Sequence, residues 1–328
     1  MTSLVSIFKS ELTDFLAARE KSVSPQTFSN DCRILGSFDR YLHEIHYSQR
    51  SITEAVVAGW TQLLHETYTT NSVAARLGYL RNFLRYLQYC GVSVYIPQNP
   101  KLTNEYIPYI FSDSEIERIF KAADNLTTYG KKGLILSHAE LPMILRMLYG
   151  CGFRIGELLH VHVRDVNFQQ KTVLLKDTKN KKQRIVPMSI SLSEMLERYC
   201  YAMGIIHKPE SYLFPGQKAG CSLSQTTVLY EFSQLLKSTG IYISPKPHTR
   251  GQCIHCFRHL FAVQAFAQAE RLGRSPASSI PYLSVYLGHY DMDGTEKYLR
   301  FSSDIFPEYT DLFESYVGNV FPEAPYEK

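Results

Sequence analysis

Residues 253–259 read CIHCFRH, so two cysteines, two histidines and an arginine fall within seven positions. Two chemistries use such a set. Cys253 and Cys256 have the Cys-x-x-Cys spacing of a zinc knuckle, with His255 and His259 beside them as further ligands. The same stretch contains His255 and Arg258 as His-x-x-Arg, a pair suited to an anion. The zinc reading lacks a second ligand pair at ordinary spacing elsewhere in the chain. The anion reading gains partners able to handle a phosphodiester: Arg154 in GCGFRIGEL, Lys179 in TKNKKQRIVPM, His289 in LGH and Tyr298 in GTEKYLR.

In order and approximate spacing these motifs resemble the tyrosine recombinases, the family of phage integrases and Xer recombinases. The resemblance runs through GFRIGEL, a lysine-bearing hairpin, His-x-x-Arg-His, Leu-Gly-His and a tyrosine nine positions further on, covering most of residues 107–300. It implies an enzyme that breaks and rejoins DNA strands through a 3′-phosphotyrosyl intermediate, with no cofactor and no metal. Arg154, Lys179, His255, Arg258 and His289 then form the site, and Tyr298 is the nucleophile. One departure lies after His255, where the family commonly has an acidic or small residue and this chain has Cys256 and then Phe257.

Physical chemistry gives each group a task. A phosphodiester carries one negative charge and gains another in its five-coordinate transition state, so a metal-free site needs fixed cations. Arg154 and Arg258 offer planar forks that can each hold two phosphate oxygens. A side-chain nucleophile conserves the energy of the broken bond, and a phenol of ordinary pKa about 10 needs nearby cations and a base to attack at neutral pH. The resemblance maps the acid for the leaving 5′-oxygen onto Lys179, with Lys181 and Lys182 as neighbouring alternatives. It maps the groups that polarise phosphate and shuttle protons onto His255 and His289.

Bland readings accompany each residue. Arg154 alone would be a surface arginine paired with Glu157, which is itself suited to orienting an arginine or histidine. Tyr298 is one of 23 tyrosines. His289 could cap a helix after Gly288, and His259 could simply pack. Cys253 and Cys256 become small packing residues beside the site.

These side chains need a folded scaffold, and 328 residues with 45% hydrophobic and 20% charged content suffice for two domains with a core each. Neither a run of about 18 apolar residues nor a signal-peptide pattern is present, so the expected location is cytoplasmic. Seven cysteines, an odd number, make no disulfide framework. A net charge of +4 and a pI near 8.5 permit a polyanionic partner.

The periodicity predicts four helices in residues 1–100, with no strand. They lie in SLVSIFKSELTDFLAA, in the run opened by Ser24-Pro25, in the run capped by a Ser51–Glu54 box, and in NSVAARLGYLRNFLRYLQYCG, which stops at Gly91. Residues 101–110 read as linker. A second domain, 111–328, starts at a Ser112–Glu115 box and carries helices on both sides of a Gly150/Gly152 break. It continues with a hairpin from KTVLLK and RIVPMS, then four more helices and an apolar tail segment from about 303. The expected fold class is mainly α, two domains: an all-α, SAM-like core-binding domain and an α+β catalytic domain with a small antiparallel sheet.

The resemblance implies a clamp of two domains on double-stranded DNA and a tetramer formed on DNA, with the tail docked in a neighbouring copy. Arg76, Arg81 and Arg85 are candidate phosphate contacts. The IYISPKPHTRGQC segment looks longer than its Xer counterpart, which favours a mobile-element enzyme over Xer-like dimer resolution.

Overall fold

The computed structural model describes residues 4–98, 100, 108–130, 133–176, 183–244, 251–288, 292 and 295. The chain divides into two compact units, Met1–Tyr106 and Ile107–Lys328.

The first unit contains α1 (Lys9–Ser22), α2 (Pro25–Glu44), α3 (Glu54–Thr67) and α4 (Thr70–Tyr89). Ser24 caps α2 by accepting from the Thr27 N–H, with Pro25 at the first helical position, where its missing N–H costs nothing. The apolar faces meet in a core of Leu12, Phe38, Trp60, Leu77 and Phe83. Two carboxylates are also buried there. Asp39 accepts the backbone N–H groups of Val5 and Ser6 at 2.7 and 3.0 Å, and Asp31 pairs with Arg19 at 2.9 Å.

Two expectations fail in this unit. It is not strand-free, since β1 (Ser51–Ile52) and β2 (Ser93–Val94) pair in parallel. Ser51 therefore caps nothing: it is a strand residue paired with Ser93, and the N-cap of α3 is Thr53, which makes no side-chain cap. The chain reaches α3 in extended form because the Tyr47 hydroxyl donates to the Ser51 carbonyl at 2.8 Å and Ile52 is buried.

The second unit opens with α5 (Asp113–Asp124), whose capping box is complete: Ser112 accepts from the Glu115 N–H, and Glu115 accepts from the Ser112 N–H. A short hairpin follows, β3 (Tyr129–Gly130) with β4 (Gly133–Leu134), which the periodicity did not reveal. Next come α6 (Leu136–Cys151), α7 (Ile155–Leu159) and a three-stranded antiparallel sheet of β5 (Val166–Asn167), β6 (Thr172–Leu175) and β7 (Arg184–Pro187). The unit continues with α8 (Ile190–Ala202), α9 (Gln225–Ser238), α10 (Cys256–Arg271) and α11 (Pro276–Leu287).

α6 is the central helix, with Leu141, Ile144, Leu145, Met147 and Leu148 all buried. The rings of Phe111, Phe120, Phe232 and Phe257 pack around one another, joining α5, α9 and α10. The break after α6 falls at Gly152 alone. Gly150 remains helical, and a Cβ there would meet Leu192 at 2.8 Å, so its smallness serves helix packing rather than chain reversal. Among the described residues no helix is long and apolar enough to cross a membrane.

Candidate active site

Three helix termini bring the site together. α6 ends at Gly152, which takes the left-handed conformation (φ 61°), and a Cβ there would strike the Phe261 ring at 2.5 Å. After buried Phe153, Arg154 stands in extended conformation at the N-cap of α7. Glu157, in the first turn of α7, takes the Arg154 backbone N–H at 3.4 Å and its Nη1 at 2.7 Å.

The second is the start of α10. His255 is its N-cap, half-buried, and its ring meets that of His259 edge-on at 4.7 Å. One helical turn on, Arg258 is 1% exposed and reaches across the unit: Nη1 donates to the Gly152 carbonyl at 2.8 Å and Nη2 to the Leu287 carbonyl at 2.6 Å. The positive end of the α10 dipole adds to this charge.

The third is the end of α11 at Gly288, which is left-handed (φ 65°). The last carbonyls of a helix lack intrahelical donors and carry the negative end of its dipole. Here they are met by arginines. Arg154 lies 3.4 Å from the Leu287 oxygen through Nη1 and 3.3 Å from the Gly288 oxygen through Nη2. Arg154 and Arg258 thus share the Leu287 carbonyl, immediately ahead of Gly288 and the sequence position of His289.

A third arginine joins them that the sequence reading passed over. Arg184, the first residue of β7, places Nη2 2.6 Å from Glu157 Oε2 and Nη1 3.4 Å from Oε1. Burial by itself would push the Glu157 carboxyl up. The hydrogen bonds and charge of Arg184, followed by those of Arg154, outweigh it and hold the group below the ordinary carboxylate range. The available signal was the arginine opening RIVPM, two residues ahead of the buried Val186.

Arg154, His255 and Arg258 therefore lie on the described scaffold, and the two arginines converge on one carbonyl oxygen. Lys179, His289 and Tyr298 lie outside the described residues, as do Lys181, Lys182 and the segment from 303 onward. Just past the end of β6, Lys176 Nζ pairs with the buried Asp165 carboxylate.

The sulfurs of Cys253 and Cys256 lie 3.7 Å apart as thiols. The hydrogen bond with Cys253 and then burial raise the Cys256 pKa, so this sulfur stays protonated and fills space as a small apolar group. Among the described residues no three His, Cys, Asp or Glu side chains gather as a metal site.

With this geometry in place, comparison with known proteins is informative. Residues 110–303 match the family model described as the phage integrase family. A tyrosine recombinase of Pseudothermotoga lettingae is 29% identical over 235 residues, covering 70% of this chain and 71% of its own length. An integrase/recombinase-named protein of Sinorhizobium fredii is 27% identical over 271 residues, 78% of this chain and 82% of the other. Among solved structures, a XerH site-specific recombinase in a post-cleavage complex with a palindromic difH substrate superimposes with a TM-score of 0.68. It shares 16% identity over 92% of this chain and 84% of that one.

Proposed function

The chain belongs to the phage integrase family, the tyrosine recombinases, which break and rejoin DNA strands, and from that membership we propose that it recombines specific DNA sites with Tyr298 as nucleophile. The observation that supports this reading most is the meeting of Arg154 and Arg258 on the Leu287 carbonyl, one residue ahead of Gly288 and two ahead of His289. Two guanidinium groups from separate helices supply the fixed positive charge that a phosphorane-like transition state requires.

In the proposed reaction the Tyr298 oxygen attacks phosphorus and its proton passes to a basic nitrogen nearby, for which His255 and His289 are the candidates. The bond from phosphorus to the 5′-oxygen breaks, and that oxygen takes a proton from Lys179. Phosphorus remains bonded to the 3′-oxygen and to Tyr298. Attack by a 5′-hydroxyl of the partner strand reverses each bond change, so no nucleotide is consumed. Arg154 and Arg258 hold the non-bridging oxygens, and no metal is called for.

The first unit supplies a docking surface of suitable charge for double-stranded DNA. Arg81 and Arg85 line a groove of about 770 Å³, beside Arg19, whose charge is already met by Asp31. Burial and then the neighbouring Arg85 charge lower the Arg81 pKa, which marks crowded cations that a polyanion would relieve. Arg76 is otherwise engaged, 3.4 Å from the centroid of the Tyr68 ring and bonded to the Ser72 carbonyl at 3.1 Å.

For the tail, the seat of matching chemistry is an apolar groove of about 690 Å³ lined by Phe261, Ala265, Tyr282, Leu283 and Tyr286. The reading places Phe306, Leu312 and Phe313 of a neighbouring copy there in a tetramer on DNA. Unchanged synapsis after deletion from residue 303 would remove that element. The biological setting we carry forward is a cytoplasmic enzyme of a mobile element, which repeated DNA flanking the coding region would mark.

The test is a DNA substrate nicked close to the crossover point, which traps the covalent adduct. Wild-type protein should accumulate adduct, and Tyr298→Phe should bind the same DNA without forming it. Adduct from the Phe variant would refute the nucleophile assignment. Specific binding with no adduct from the wild type would instead make the chain a DNA-binding factor.

A further inference from the structure

We propose that Arg184 is a positioning residue of the strand-cleavage site, locking Glu157, the α11 terminus and the β6–β7 hairpin into one register so that Arg154 meets the phosphate in the right orientation. The inference rests on the recombinase reading and deepens it, because nothing in the family motifs that single out Arg154, Lys179, His255, Arg258, His289 and Tyr298 assigns Arg184 a role.

Four observations carry it. First, Arg184 and Arg154 grip the same carboxylate from different elements, at 2.6 and 2.7 Å respectively, and Glu157 is itself buried. One carboxylate between two guanidiniums leaves a net positive charge, and the orientation of Arg154 depends on where Arg184 holds Glu157. Second, Arg184 abuts the turn that ends α11. A Cβ at Gly288 would lie 2.6 Å from Arg184 Nη1 and 3.0 Å from Cζ, so the guanidinium occupies the space a side chain there would need.

Third, the placement is costly. The Arg184 side chain is 10% exposed, and among the described residues its buried Nε has no hydrogen-bond partner. A buried ion pair with an unsatisfied donor contributes little to stability compared with an apolar side chain of similar size, so stability does not explain the residue. Fourth, Arg184 is paired across the sheet with Leu175, at the end of the β6–β7 hairpin where the connection leaves the strands. The connection between these strands carries Lys179 in the sequence. A single side chain therefore ties the strand beside the lysine-bearing connection to the arginine of α7 and to the turn that precedes His289.

A planar fork is what this task requires. Lysine has a single ammonium centre and cannot span both Glu157 oxygens while filling the space beside Gly288. The residue acts on geometry through other groups, and a displacement of about 1 Å in a reacting group can cost on the order of 100-fold in rate.

The experiment measures single-turnover adduct formation on the nicked substrate at saturating DNA, together with DNA affinity and the folded fraction by circular dichroism. The proteins are wild type, R184K, R184M, R184A and E157Q. Wild type must form adduct; if it does not, the recombinase reading itself fails. Given wild-type cleavage, the expectation is that R184M and R184K stay folded and bind DNA as wild type does, while cleaving on the order of 100-fold more slowly. Added guanidinium ion should restore part of the rate to R184A and none to E157Q. The losses in R184M and E157Q should be less than additive when combined, since both act through one carboxylate. R184M cleaving at the wild-type rate would overturn the proposal. So would a rate loss that merely follows the unfolded fraction, or follows DNA affinity, with no response to guanidinium.

Discussion

Replacing Glu140 by methionine should make the protein more stable, by an amount that depends on pH in a calculable way. Glu140 lies on α6, the helix that leads to Gly152 and Arg154, and is fully buried. Neither of its carboxylate oxygens has a hydrogen-bond partner among the described residues. Burial raises its pKa from 4.5 to about 8. Tyr199 of α8 feels this carboxylate: its own pKa is raised by burial first and then by the Glu140 charge.

The sign follows from proton binding. Below the unfolded value of 4.5 both states hold the proton and there is no penalty; between 4.5 and about 8 only the unfolded state releases it, so folding loses stability as pH rises. Each pH unit in that window costs about 1.4 kcal/mol, which makes the penalty roughly 3 kcal/mol at neutral pH and constant once the folded group also ionises. Methionine keeps similar bulk without the charge. The assay is urea unfolding of wild type and E140M at a series of pH values, read as the difference between them. That difference should grow with pH across the window and then level off. A flat difference, or one that shrinks as pH rises, would refute the placement of an unpartnered acid in this core.

Two further substitutions probe the site. Gly288→Ala places a Cβ 2.6 Å from Arg184 Nη1 at a φ of 65°, so the left-handed backbone costs about 1–2 kcal/mol and the guanidinium must move off Glu157. Thermal unfolding should register that loss, and adduct formation should fall even at temperatures where G288A is fully folded. Arg258→Lys cannot reach both the Gly152 and Leu287 carbonyls, which Arg258 serves at 2.8 and 2.6 Å, so one buried acceptor is abandoned at a cost of about 1–3 kcal/mol. R258K should show that cost in urea titrations and should cleave far more slowly than wild type with DNA binding largely kept.

Much of the architecture was readable because its causes are local. The helix at Ser24-Pro25, the capping box at Ser112 and the hairpin from KTVLLK and RIVPMS each depend on residues a few positions apart, and each is present. Ser51 shows where local reading stops. Its spacing to Glu54 fits a capping box, but pairing with Ser93, far along the chain, takes the residue into a strand instead. The Tyr129–Leu134 hairpin was missed for a related reason, since two-residue strands carry too little alternation to register as a pattern.

The candidate site divides along the same line. Residue type and motif order were enough to nominate Arg154, His255 and Arg258, because phosphate chemistry demands those groups and a sequence displays which groups are present. Where their donors point is a different matter. Arg258 spans 106 positions to reach Gly152 and 29 to reach Leu287, Arg154 spans 133 to the Leu287 carbonyl, and Arg184 spans 27 to Glu157. No periodicity encodes contacts at such separations. Only tertiary packing brings the ends of α6 and α11 together with the starts of α7 and α10, and there the unpaired carbonyls of one helix terminus draw in the arginines that begin the others.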